Sequence, residues 1–109
     1  MIISLIQHNP TIAAVDANVD HLTNLIKLAA SGKPDAIVLP ELCITGYPPR
    51  DLLNREDLID KNLKARDYLV SLTKDFPSTL IFGYVERNNE VGAKKLFNAV
   101  CVAKNGEVI

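Results

Sequence analysis

Apolar residues along the chain fall into short continuous runs and into longer stretches of helical spacing, and the two alternate. Ile2 to Gln7 is a nearly unbroken apolar run rich in β-branched residues, the pattern of a buried strand. Asn9-Pro10-Thr11 ends it, because the residue before a proline is pushed out of helical space. Leu22, Leu25, Ile26 and Ala29 then recur at i, i+3, i+4 and i+7. That spacing predicts a helix over about Ala17–Ser31, with Asp16 as N-cap and Gly32 as a left-handed C-terminal cap. Ala36-Ile37-Val38-Leu39 is a second buried strand, stopped by Pro40.

Strand, amphipathic helix and strand in this order make a βαβ unit, which favours parallel pairing. Glu41 to Arg55 follows as a long loop at the carboxyl end of a strand, where open α/β sheets place their ligands. Asn54 caps a second helix running to about Asp75. Glu56 and Asp57 suit its positive end, and Leu58, Ala65, Leu69 and Leu72 share one face. Thr79–Val85 and Leu96–Ala103 read as strands separated by a turn at Asn88–Gly92. Asn105-Gly106 predicts a tight hairpin turn into a last strand begun by Val108 and Ile109. A strand barely begun there reads as a domain cut part-way.

The remaining bulk properties narrow the picture by exclusion. The chain has 109 residues, room for one domain, with 48% hydrophobic and 23% charged residues and a net charge of −1. Acids and bases are interleaved, so no basic run tracks a phosphate backbone, and nucleic acid is not an expected partner. No apolar run approaches the roughly 20 residues of a bilayer span, and the N-terminus lacks a signal-peptide pattern. Cys43 and Cys101 are far apart with no metal-ligand spacing, and two reduced thiols in a cytoplasmic protein are the expectation.

Candidate chemistry concentrates in the loop after Pro40. Glu41 follows a strand and a conformationally fixed proline, between apolar neighbours; partial burial there would raise its pKa toward a general base working near neutrality. Gly46 allows a sharp turn that presents Tyr47. Taken alone, an acid at this place is more often a helix cap or a solvated rim residue. Pro40-Glu41-Leu42, Thr45-Gly46-Tyr47-Pro48-Pro49 and Asp51-Leu52-Leu53 together resemble the first signature of the nitrilase, or carbon–nitrogen hydrolase, superfamily. The Gly-Tyr-Pro-Pro-x-Asp-Leu-Leu continuation resembles the glutaminase domain of the glutamine-dependent NAD synthetases. Gln7-His8-Asn9-Pro10-Thr11 and Phe97-Asn98-Ala99 with Asn105-Gly106 are similar to flanking segments of that family. Arg50 stands where many of its members carry an acid.

The resemblance implies a partial nitrilase-type αββα sandwich, with residues 1–109 as the N-terminal part of a carbon–nitrogen hydrolase domain. It expects two parallel strands, a hairpin and two helices over one sheet face. It also implies a Glu-Lys-Cys mechanism that releases ammonia from glutamine, with no cofactor for that step. ATP and deamido-NAD belong to a separate synthetase domain, and the parent protein is expected to be a homo-oligomer. Glu41 matches the general base and Tyr47 a position lining the glutamine pocket; the lysine and the nucleophilic cysteine are expected outside this chain. Lys94, Lys95 and Lys104 read as solvated charges, Cys43 and Cys101 as packing residues, and His8 and His21 as structural or exposed. Two other readings remain: a superfamily member acting on a different amide, nitrile or carbamoyl compound, and a small non-catalytic α/β binding module. The second lacks a glycine-rich phosphate loop after its first strand.

Overall fold

The apolar residues of the strand runs meet on one side of a single sheet. The computed structural model describes residues 1–47, 54–90, 92 and 95–109. Its strands are β1 (Ile3–Leu5), β2 (Ala36–Val38), β3 (Thr79–Arg87), β4 (Leu96–Lys104) and β5 (Glu107–Val108), side by side in chain order. β1, β2 and β3 run parallel, and β4 and β5 add antiparallel. Three strands are therefore parallel where two were expected, because β3 is both the third parallel strand and the first arm of the hairpin. The register sets Ile37 against Leu80, Leu80 against Ala103 and Phe82 against Cys101. All five are buried in one cluster with residues of both helices. Each large side chain among them contributes about 1.5–3 kcal/mol by leaving water.

α1 (Val15–Ser31) buries Leu22 and Ile26 as the spacing predicts, and extends the stripe with Val15 and Asn18. It starts two residues earlier than expected. Ala14 is its N-cap, with no side-chain bond, so Asp16 lies inside the first turn and favours the helix by charge alone. The entry is held instead from outside the helix, by the Ala13 N–H donating to the Thr45 carbonyl at 2.8 Å. Gly32 is right-handed (φ −81°), and the left-handed residue is Lys33 (φ 52°), whose N–H closes on the Ala30 carbonyl. The chain thus turns one residue later than the glycine suggests. α2 (Glu56–Leu72) is capped by Arg55, not Asn54, and continues as a 3-10 turn over Thr73–Asp75. Asn105 (φ 56°) and Gly106 (φ 81°) make the hairpin turn between β4 and β5, both left-handed as that turn requires. Pro48 to Leu53 of the motif, and Val91, Ala93 and Lys94, lie outside the described residues.

β2 ends well before β3 does, which would leave the far half of β3 with an unpaired edge. The chain after β2 covers the first part: Leu39 donates to Ile81 at 2.8 Å, and Gly83 donates to Pro40 at 3.3 Å. Beyond that, Asn62 of α2 takes over. Fully buried, it donates to the Val85 carbonyl at 2.6 Å and accepts from the Val85 N–H at 3.2 Å. One side-chain amide replaces the peptide of an absent strand. Asn62→Leu strands both Val85 groups away from water, at about 1–3 kcal/mol for each. Chemical denaturation checks this; a loss below about 0.5 kcal/mol would show that the amide is no strand surrogate.

Both helices pack on one face. On the other, Leu5, Val38, Ile81 and Val102 line up across the sheet, and Leu5 and Val100 are 73% and 68% exposed.

Candidate active site

Pro40 takes the chain out of β2 and into a tight turn over residues 41–45. Leu42 is left-handed (φ 46°), which costs a non-glycine residue about 1–2 kcal/mol. Burial of Leu42, Cys43, Ile44 and Thr45 offsets that cost. Gly46 (φ 87°) closes the turn by donating to the Leu42 carbonyl at 2.9 Å. Its missing side chain also matters, because a Cβ there would stand 2.9 Å from the Ile12 Cα. Asn18 of α1 clamps the same region. Its amide nitrogen donates to the Thr11 and Ile44 carbonyls, both at 2.8 Å, and its oxygen accepts from the Thr11 N–H.

Under the turn lies Gly83 of β3. A Cβ at this position would be 2.7 Å from the Leu42 nitrogen and 2.8 Å from the Glu41 Cα. Only a glycine lets the backbone of Glu41 rest on the sheet. The neighbours of Glu41 point inward, and Glu41 itself points out. It is exposed, not half-buried as the apolar flanks suggested, because a turn residue need not share the side of the residues after it. Asn98 of β4 donates its side-chain amide to the Glu41 carboxylate.

Glu41 lines two clefts at once. One, of about 310 Å³, is shared with His8, Asn9, Pro10, Pro40 and Tyr47; the other, of about 380 Å³, opens over the uncovered sheet face beside Gly83, Asn98 and Val100. Tyr47 is 63% exposed on the first cleft. The two residues expected at the site are therefore brought together. A larger groove of about 470 Å³ between α1 and α2, lined by Asp16, Lys61 and Tyr68, contains neither. Size alone does not mark the chemistry here.

The other candidates separate cleanly. Cys43 is fully buried, its thiol donates to the Gly83 carbonyl at 3.6 Å, and burial pushes it up to about 12. Such a thiol is almost never a thiolate near neutrality, so Cys43 packs the turn. Burial likewise raises the Cys101 thiol, and both cysteines are free. Lys95 and Lys104 are exposed. His8 and His21, read separately from the sequence, meet ring to ring. Among the described residues no three His, Cys, Asp or Glu side chains converge as a cation site, and no helix is long and apolar enough to cross a membrane. Asn98, Gly83 and Asn18 are site residues that residue-by-residue reading passed over. Only Asn98 carried a signal, as part of a motif segment.

A carboxylate held by an amide at the end of a parallel strand, facing open clefts, is placed to take a proton from a group that enters them. The family model for carbon–nitrogen hydrolases matches residues 2–109. A glutamine-dependent NAD(+) synthetase from Acinetobacter baylyi is 34% identical over 107 residues, covering 98% of this chain and 19% of the relative. One from Thermotoga maritima is 28% identical over 107 residues, covering 98% and 18%. The crystal structure of a glutamine-dependent NAD(+) synthetase from Cytophaga hutchinsonii superposes with a TM-score of 0.85 at 26% identity, over 99% of this chain and 18% of that one. The chain spans less than a fifth of the length of these relatives.

Proposed function

The chain belongs to the carbon–nitrogen hydrolase family, and on that premise we propose that it is the N-terminal part of a glutamine-hydrolysing domain that feeds ammonia to NAD synthesis. The observation that carries this reading is Glu41, held out into two clefts by Pro40, Gly83 and Asn98 at the carboxyl end of β2. Near-complete coverage of this chain against NAD synthetases supports the substrate.

In this mechanism Glu41 takes the proton of a cysteine thiol supplied by the rest of the parent chain. The thiolate attacks the side-chain amide carbon of glutamine, and a lysine, also outside these residues, stabilises the oxyanion. The C–N bond breaks, the nitrogen takes the proton back through Glu41, and ammonia leaves a thioester. Glu41 then deprotonates the water that cleaves the thioester, returning the thiol and releasing glutamate. Tyr47 lines the glutamine pocket. The amidase step draws on side chains alone, while ATP and deamido-NAD bind a separate synthetase domain of a cytoplasmic homo-oligomer. The open face around Leu5, Ile81 and Val100 receives the second sheet of the sandwich from the remainder of the parent chain.

The test is ammonia release by the full-length protein from glutamine and from short aliphatic amides. A kcat/KM favouring another amide over glutamine would overturn the substrate; no turnover of any amide would overturn the reaction. Asn98 is expected to act by positioning Glu41. Removing one hydrogen bond to a charged group costs about 1.5–3 kcal/mol, so Asn98→Ala should lower kcat roughly 10- to 100-fold. KM for glutamine should change less than about threefold, because no ground-state contact is lost. A rise in KM at constant kcat would make Asn98 a substrate contact instead.

A further inference from the structure

His8, just after β1, and His21, in the second turn of α1, bring their rings to a centroid distance of 4.9 Å, with Nδ1 to Nδ1 at 3.0 Å. A neutral imidazole has one N–H and one acceptor nitrogen. The contact is a hydrogen bond only while the two Nδ1 atoms hold a single proton between them. With none, two lone pairs face each other; with two, an N–H faces an N–H, and like charges do so as well when both rings are protonated. The other nitrogen of His8, Nε2, is shielded from solvent and has no hydrogen-bond partner of good geometry among the described residues. The ring lies against the turn that carries Glu41: the Cys43 backbone interacts with it, and Glu41 and Tyr47 line the same cleft.

We propose that His8 is a positioning residue for the Glu41 turn, held against it by one proton shared with His21, and that a second proton loosens the turn. This rests on Glu41 being the base of the amidase. The groups facing His8 are His21 from α1, Glu41 and Tyr47 across the cleft, and the Cys43 backbone. Cys43, at about 12, stays a thiol throughout the range in question. Burial first, and the charge of His21 second, hold His8 below its ordinary value of 6.5. The sign follows from that direction. The contribution of His8 to the turn is complete above 6.5 and is lost as pH falls through its lower folded value. Asn18 clamps the turn independently, so acid should shift Glu41 without unfolding the domain.

The experiment follows histidine C2-hydrogen exchange by mass spectrometry against pH in the full-length protein, alongside backbone protection of residues 41–46 and the pH profile of glutamine hydrolysis. His21→Gln should move the His8 midpoint upward. Protection of the turn should fall in acid together with kcat/KM. His8→Gln sets an amide near the Nε2 position and cannot titrate. Relative to its own rate at neutrality, it should keep several-fold more activity at about pH 5.5 than the unmodified protein does. Independent midpoints that His21→Gln does not move would overturn the shared proton. An acid limb and a turn protection unchanged in His8→Gln would overturn the positioning role. If His8→Gln does not fold, His21→Gln decides the matter by the same three readouts. A full-length protein that hydrolyses no glutamine refutes the amidase reading, while exchange and turn protection still decide whether the pair holds the turn.

Discussion

Glu41→Gln in the full-length protein is expected to lower kcat for glutamine hydrolysis by about 10²- to 10⁴-fold, the range for removal of a positioned general base. The substitution is chosen for what it retains. Glutamine has the same length, and its carbonyl oxygen can still accept from Asn98, so the turn over residues 41–45 has no reason to move. What it loses is the ability to take a proton from the attacking thiol and later from water. Both halves of the reaction need that step, so neither acylation nor thioester cleavage should be rescued by excess glutamine. Ammonia release measured over a range of glutamine concentrations separates the effects, with KM expected within about threefold of the unmodified value. Retention of more than a tenth of kcat would sink the assignment and leave Glu41 as a rim carboxylate.

Gly83→Ala should be nearly as damaging, although residue 83 presents no functional group. The added Cβ would meet the Leu42 nitrogen at 2.7 Å, the Glu41 Cα at 2.8 Å and the Glu41 carbonyl carbon at 3.1 Å. All three are backbone atoms, so no side chain can swing aside. The turn must lift off β3 by a sizeable fraction of an ångström and carry the carboxylate with it. A misplacement near 1 Å can cost about 10²-fold in rate, which is the loss expected in kcat. Overpacking should also lower stability, by about 1–3 kcal/mol. Gly92→Ala is the matched control. Among the described residues a Cβ there meets nothing within 4 Å, though φ is +82°. It should cost some stability through backbone strain and leave kcat unchanged. Equal losses of activity in both variants would mean that the Gly83 effect is general destabilisation rather than displacement of Glu41.

The pairing of His8 with His21 shows why part of the site was beyond sequence reading. The two lie thirteen positions apart, His8 in the segment after β1 and His21 on α1, and neither has a partner at a meaningful spacing. Their contact exists because the segment after β1 folds back against α1. Asn62 is similar. On the helical pattern it is a polar residue on a buried face, a defect until the free edge of β3 is seen beside it. The caps went the other way. Local rules favoured Asp16 and a left-handed Gly32, while the chain used Ala14 and Lys33; at the first of these, the bond from Ala13 to the 41–45 turn fixes how α1 begins.

What the sequence determined by itself is local and periodic. Continuous β-branched runs, helical spacing, Pro40 and the Asn105-Gly106 turn are enough to specify the alternation of strands and helices and to put Glu41 and Tyr47 after a strand end. The motif around them is enough to indicate the carbon–nitrogen hydrolase family. Only the tertiary structure decided that Glu41 faces outward, that Asn98 holds it, that Gly83 must lack a side chain and that Cys43 is sealed beneath. Each of these depends on which atoms from distant segments approach within a few ångströms. Spacing along the chain carries no information about that distance until the sheet register and the helix packing are set.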